Sequence, residues 1–520
     1  MKEFIFTISD AEIKSESQFP EKWQWLSWPL VPFSVFLFDF LFWDMQGAGI
    51  NFPLFTVSML AFAVIIHFRK INSVLSFSLI CSTVLTGIAM VVVHSQVVFF
   101  IHLICWGLTI GKILQTDLRS LPFVALAQLI NFIFSGFAVL ISLVQYLPGF
   151  GGIMKFRKAV TLAAFPVIIG IVFYWIYLVA NPRFESLNLS IFQGVLDWIS
   201  AFFTFDLVLR FIFWTFGFFL STGILFRIHN SILPQIEKPF DERLFRVKKV
   251  GEPPIELWKL KNEFKAGIIL LILLNTFLLI VNLTDISWIW WNFVPERNFS
   301  LSQFVHEGTW LLIFSIGLAA MVVLFLFRGD LNFFSKNKFH KSLACAWIIQ
   351  NAFLAISVGL RNYHYVSYYG LTGKRIGVIV FLILVLAGLI SLFLKIIQTK
   401  SLFYLFKVNG WLALFILATV CCFDFNRIII KYNLSRIHLI GFDLSYHYRL
   451  SPSDLPLIWE VRKNLHNFSE EEFISHTRMV LEQRKITDWR SWNLKDAINF
   501  PALELIILSE KPKKINPNHF

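Results

Sequence analysis

His306, Glu307, Arg361 and His364 are ionisable residues set in apolar sequence. Polar groups are dense around them: SLSQFVHEGTW, FRGDLNFF, IIQNAFLAISVGLRNYHYVSYYGLTGKRIG and FDFNRIIIKYN all fall between Ser300 and Tyr432. Charged and hydrogen-bonding groups are costly to keep near a bilayer, so a stretch that retains them is a candidate site. Adjacent His306 and Glu307 could bind a cation or pass a proton. Arg361 could grip the carboxylate or phosphate of a small anionic ligand through two parallel hydrogen bonds. One His and one Glu do not make a metal site, and adding His364 matches no ligand motif, so no metal and no cofactor is expected. The plainer alternative is an Arg361–Glu307 pair that neutralises buried charge.

The elements that must position these residues are helices. From Lys341 to Tyr369 there is no Pro, and Gly370 supplies a stop. One helix of about 43 Å is expected, longer than the hydrocarbon core. On it Gln350, Ser357, Arg361, His364 and Tyr368, spaced 7, 4, 3 and 4 apart, form one narrow polar stripe. Such a stripe faces protein or a water-filled cavity rather than lipid. Gln350 and Ser357 fit equally well as interhelical hydrogen-bonding groups. Arg361 and His364, crowded by Tyr363, Tyr365, Tyr368 and Tyr369, point to a site, although a Tyr-rich turn also fits an interfacial belt. Ser300 and Gln303 have capping-box spacing, and Gln303, His306, Glu307 and Trp310 then share a helix face.

Twelve apolar segments of membrane character can be laid along the chain, at about 28–43, 53–68, 73–93, 97–114, 122–146, 159–180, 206–227, 264–284, 308–327, 343–360, 376–394 and 409–425. The fold expected is an all-α, polytopic helical membrane bundle with a small helical C-terminal region. Its parts are a polar arm (1–27), a first membrane half (28–227) with an in-plane helix at 191–204, a charged loop (228–263), a second membrane half (264–426) and a soluble region (427–520). In the last part Ser451-Pro452 reads as a helix start and Ser469 with Glu472 as a capping box. That region is poor in apolar residues for a large core of its own.

Of the 520 residues 57% are hydrophobic and only 15% charged, which excludes an ordinary soluble multidomain protein. The net charge of +13 belongs to basic loops beside anionic lipid, so the lipid bilayer is the expected partner and nucleic acid is not. Loops 148–158, 228–263, 328–342 and 395–408 are more basic than those on the opposite side, which include 1–27, 69–72, 112–121 and 361–375. By the positive-inside bias the 228–263 side is cytoplasmic and both termini lie outside. The five Cys form no CxxC pair and read as small apolar helix residues. No cleaved signal peptide is expected behind Met1.

Other candidates read as structural. Asp39 and Asp44 are five apart and do not share a helix face, and Asp39 reads as a carboxylate near the headgroups. Asp206 and Arg210 are expected to pair with each other, as are Asp424 and Arg427. His102 reads as a satisfied core histidine. No Walker A loop, HExxH, GxSxG or Rossmann glycine fingerprint occurs.

The stretches EFKAGIILLILLNTFLLIVNLTDI, FVHEGTWLLIFSIGLAA, FRGDLNFF and WIIQNAFLAISVGLRNYHYVSYYGLTGKRIGV resemble an uncharacterised bacterial family of polytopic membrane proteins that carries only a domain-of-unknown-function label. The resemblance is strongest over about 260–435 and extends over 28–500. It implies a multi-pass protein of the bacterial cytoplasmic (inner) membrane and supplies no activity and no catalytic residues.

Three functions stay open: a transporter or small-molecule or lipid-binding membrane protein with a polar pocket in the second half, a membrane-embedded enzyme acting on an envelope or lipid-linked substrate, and a non-catalytic sensor or assembly partner. The residues assigned to binding are His306, Glu307, Gln350, Arg361, His364 and Tyr368.

Overall fold

A computed structural model describes residues 26–45, 47–67, 73–145, isolated positions within 166–184, 205–227, 232–245, 257–291, 309–334, 337–439, 443–465, 468–485 and 488–509. Every regular element among these residues is helical. Among the described residues eight helices are long and apolar enough to cross a membrane: Val74–Val93 (α3), Gln96–Leu114 (α4), the Leu121–Gln145 helix (α5), the Phe205–Leu225 helix (α6), the Leu257–Asp285 helix (α8), Asn337–Tyr369 (α10), Gly373–Ile397 (α11) and Leu402–Val420 (α12). Three shorter apolar helices join them: Ser27–Phe42 (α1), Asn51–His67 (α2) and Thr309–Leu326 (α9). The short Ile232–Glu237 helix (α7) lies in the charged loop. The expected segments at 159–180 and 191–204 fall mostly or wholly outside the described residues. The chain divides into two compact units, one formed by Met1–Ile80, Trp106–Thr116 and Val124–Asn230, the other by Cys81–Cys105, Asp117–Phe123 and Ser231–Phe520.

In the first unit, Phe38 on α1 stacks on Phe213 of α6 with ring centroids 4.5 Å apart. Gly217 makes room for that ring, since a Cβ there would lie 2.8 Å from it. Asp39, one residue on, is buried in the last turn of α1: Arg210 holds it with two hydrogen bonds (3.2 and 2.6 Å) and Trp214 with a third (2.8 Å). This corrects the expected Asp206–Arg210 pairing. An i,i+4 partner on a lipid-facing helix surface competes with a buried carboxylate on the adjacent helix, and the buried one captures the guanidinium.

Helices α5 and α6 run antiparallel along small residues. Gln128 and Asn131 donate to the Gly223 carbonyl (3.0 and 2.7 Å), Asn131 also to that of Phe226 (2.9 Å), and Ser135 meets Thr222. Small side chains admit close backbone approach where no hydrophobic drive between helices exists. Arg227, just past α6, donates to Gln115, just past α4 (3.2 Å), and Trp28 at the start of α1 packs edge-on against Phe226. The start of α1 and the turn after α4 therefore lie at the end where the chain leaves α6. The expected topology put the start of the first span and the turn after the fourth opposite to the end of the 206–227 span, and this is corrected. That expectation counted one crossing at 159–180 and none at 191–204, segments that lie mostly or wholly outside the described residues.

The second unit repeats the same end assignment by itself. Glu237 accepts from the backbone of Arg119 (2.7 Å) and Ser120 (2.9 Å) and from the Ser120 hydroxyl (2.7 Å). Residues 242–244 pair with the turn between α11 and α12 through Ser401 N to Glu242 O (2.9 Å) and Leu244 N to Thr399 O (3.1 Å). The membrane core of this unit is α9, α10 and α11 packed around Val323, Leu354, Val358, Leu382 and Ile396, with α8 against α10 through Leu271. As expected, α10 is one helix stopped at Gly370, which adopts φ 80. Its 33 residues span about 50 Å at 1.5 Å per residue.

Beyond α12 come Phe425–Ser435 (α13), Leu444–Leu450 (α14), Leu455–Glu460 (α15), Glu470–Lys485 (α16) and Leu494–Ser509 (α17). They enclose a core of Ile430, Leu455, Ile458, Phe473, Phe500 and Leu503, so this region does have its own apolar centre. Asp424 caps α13 by accepting from Arg427 N (3.1 Å), and its charge pairs with Lys495 (2.8 Å), not with the Arg427 guanidinium as expected. Lys495 also reaches buried Asp454 (2.6 Å). Ser469 accepts from Glu472 N (3.2 Å) as its spacing implies, while Pro452 opens a 3-10 turn without a side-chain cap from Ser451.

Candidate functional site

Helices α8 and α10 run parallel, joined by a ladder of polar contacts. Gln350 donates to the Asn275 carboxamide oxygen (2.8 Å), and Asn275 donates to the Leu271 and Leu343 carbonyls (2.7 and 3.1 Å). Asn282 donates to the Gln350 carbonyl (3.1 Å). At the next level Arg361 Nη2 donates to Asp285 Oδ1 at 2.5 Å. Asp285 is 4% exposed and Arg361 8%, so this is a buried ion pair. Asp285 Oδ2, also buried, has no hydrogen-bond partner among the described residues.

Directly after Asp285 the helix loosens into a π-turn, Ile286–Trp290. Widening the helix displaces carbonyls from their usual partners. One of them, on Ile289, meets the His364 ring nitrogen Nε2 at 3.1 Å, and the indole of Trp290 donates to Ser357 (3.1 Å) while its ring stacks on Phe353 (4.9 Å). His364 Nε2 therefore carries the proton in this arrangement, since a carbonyl can only accept.

The structure thus brings Gln350, Ser357, Arg361 and His364 onto one seam, facing α8. Tyr368 ends the stripe and is 47% exposed. His306 and Glu307 lie outside the described residues, and with them the expected Arg361–Glu307 pair; the carboxylate that Arg361 holds among the described residues is Asp285. Among the described residues no group of three or more His, Cys, Asp or Glu side chains gathers as metal ligands would.

Sequence reasoning missed the α8 half of the seam. Asn275, Asn282 and Asp285 are spaced 7 and 3 apart, the same single-face pattern that marks Gln350, Ser357, Arg361 and His364. Two polar stripes of matching period on neighbouring spans are a signal for each other.

The far end of α10 is clamped from outside. Asn433 on α13 accepts from Leu371 N (2.7 Å) and donates to Leu371 O (3.0 Å), so one carboxamide takes both backbone groups of the α10–α11 turn. Its second N–H lies 3.1 Å from His447 Nε2, and His447 Nδ1 lies 2.6 Å from the Asp443 carbonyl. The ring is therefore neutral, with its proton on Nδ1 and Nε2 accepting. Burial holds the His447 pKa below its ordinary value of 6.5, against the opposing pull of the Asp443 carbonyl. Arg375 closes the turn by donating to the Tyr369 (2.9 Å) and Gly370 carbonyls and lying over the Tyr365 ring.

Long apolar helices joined by a buried polar seam, with a helical cap outside, define a multi-span helical membrane protein. The chain belongs to the family described as Domain of unknown function (DUF4153), whose model matches residues 54–461. No curated protein and no solved structure matches it.

Proposed function

We propose that the chain is a solute-handling membrane protein of transporter type in a bacterial cytoplasmic membrane. Its second half would receive a small anionic ligand at the Asp285–Arg361 level, with Gln350, His364 and Tyr368, and from the sequence His306 and Glu307, as further ligand-facing groups. The observation that supports this reading is the buried ion pair. Desolvation largely offsets the attraction within such a pair, so it adds little net stability. Asn275, Asn282, Gln350 and Ser357 already supply hydrogen bonds that join α8, with its π-turn, to α10. A carboxylate and a guanidinium kept within spanning helices suit a solute or ion route better than a mere helix contact. The adjoining π-turn agrees, because such turns recur at functional sites. A guanidinium that holds a carboxylate can exchange it for the carboxylate or phosphate of a ligand.

The test is thermal unfolding of the detergent-solubilised protein against a panel of small carboxylates and phosphates. At least one member is expected to raise the Tm of the wild type and leave Arg361→Lys unmoved, since Lys keeps the charge and loses the planar fork. A panel that shifts neither protein, or both equally, contradicts the proposal.

A further inference from the structure

At the opposite end of the second unit, two lysines have no acid partner among the described residues. Lys395, in the last turn of α11, is 4% exposed, yet the described residues supply its ammonium no carboxylate and no hydrogen-bond acceptor. Lys341, in the first turns of α10, reaches across to the Thr399 hydroxyl (2.9 Å), just beyond the end of α11. Both lysines thus converge on the same end of α11, Lys395 from its last turn and Lys341 through Thr399 just beyond it. Thr399 itself sits at φ 50, the left-handed conformation that turns the chain back toward α12.

Two acids described at this end are engaged elsewhere. Glu237 is taken by Arg119 N and Ser120, and Glu242 by Lys407 (2.6 Å). Lys400 lies over the Tyr404 ring and Arg119 over that of Phe403. Two like charges, one of them buried, repel each other unless an anion lies between them. The ammonium of a side chain this little exposed calls for a counter-charge or hydrogen-bond acceptors, and the described residues supply Lys395 neither.

We infer that Lys341, Lys395 and Thr399 form a binding site for a phosphate group at the charged-loop end of the α10–α11 pair. The two ammonium groups supply charge, and the Thr399 hydroxyl supplies a further hydrogen bond. Its level, at the ends of two spanning helices and beside the basic loop, is where phospholipid headgroups lie, and basic pockets between spanning helices at this depth hold anionic headgroups. The same chemistry would hold a free phosphate. This inference does not depend on the Arg361 proposal, which concerns the other end of α10.

The experiment uses the full chain in detergent, delipidated, with phosphatidylglycerol, phosphatidylcholine or inorganic phosphate added back. Thermal unfolding and native mass spectrometry read the response. Phosphatidylglycerol is expected to raise the Tm and to remain bound at one per chain, with phosphatidylcholine inert. Lys341→Gln and Lys395→Met should each weaken retention at least fivefold, whereas Lys407→Gln, whose amine already has Glu242, should not. Lys341 is only partly buried, so its variant tests the site even where Lys395→Met folds poorly. A response to inorganic phosphate of the same size, lost in the same variants, supports the site and assigns it to free phosphate. Equal retention by wild type and Lys341→Gln, or equal response to both lipids, overturns the inference.

Discussion

At the scale of single residues, the Asp285–Arg361 pair makes a clear energetic statement. Removing one partner strands a buried charge, which costs about 3–5 kcal/mol, while removing both costs little. Asp285→Asn and Arg361→Gln alone should each lower the Tm markedly, and the double variant should recover most of the loss; additive losses in thermal unfolding would show that the two residues do not act as a pair. His447 makes a second statement. Its folded pKa is depressed, so the folded state sheds its proton more readily than the unfolded chain. The stabilisation is complete above the ordinary value of 6.5 and is lost as pH falls below it toward the folded value. Protonated Nε2 can no longer accept from Asn433, so the clamp on Leu371 should loosen. Hydrogen exchange at the Leu371 amide, corrected for intrinsic rates, should accelerate between pH 7.5 and 5.5; unchanged protection would count against the tautomer assigned here.

At the scale of elements, spacing in the sequence carried much of the information. The long α10 helix, its Gly370 stop and its polar stripe follow from the absence of Pro and the 7-4-3-4 periodicity. The partner did not follow, because Asn275, Asn282 and Asp285 each stand singly in a long apolar run and only their common period gives them away. Arg210 likewise had a partner in its own helix by spacing, and only packing against α1 reveals the buried carboxylate that takes it. Close packing of α5 on α6 depends on Gly223, where an added Cβ would lie 2.8 Å from the Phe132 backbone. Gly223→Ala should therefore destabilise the protein by about 1–3 kcal/mol. Gly317→Ala, with nothing within 4 Å, should be neutral in the same thermal unfolding experiment. Helix propensity favours Ala at both positions, so equal losses would mean that the Phe132 contact does not set the cost at Gly223.

At the scale of the whole molecule, the charge bias gave a side to each loop but not the right grouping, because grouping depends on the parity of crossings between α5 and α6. With the turn after α4 at the charged-loop end, Lys112 and Arg119 join the basic face read from the sequence. In a background without the native cysteines, Cys at exposed positions 117, 238 and 398 should react from one side of the membrane and Cys at 435 from the other. Joint labelling of 117 and 435 would restore the grouping read from charge alone. The claim on which the functional account rests is that the Asp285–Arg361 pair is kept for a ligand rather than for folding. The most direct measurement is the ligand response of Asp285→Asn/Arg361→Gln, read as thermal shift with the carboxylate and phosphate panel. The account predicts a resting Tm close to the wild type's and no shift with any compound that stabilises the wild type. A ligand shift of undiminished size in that double variant would contradict it.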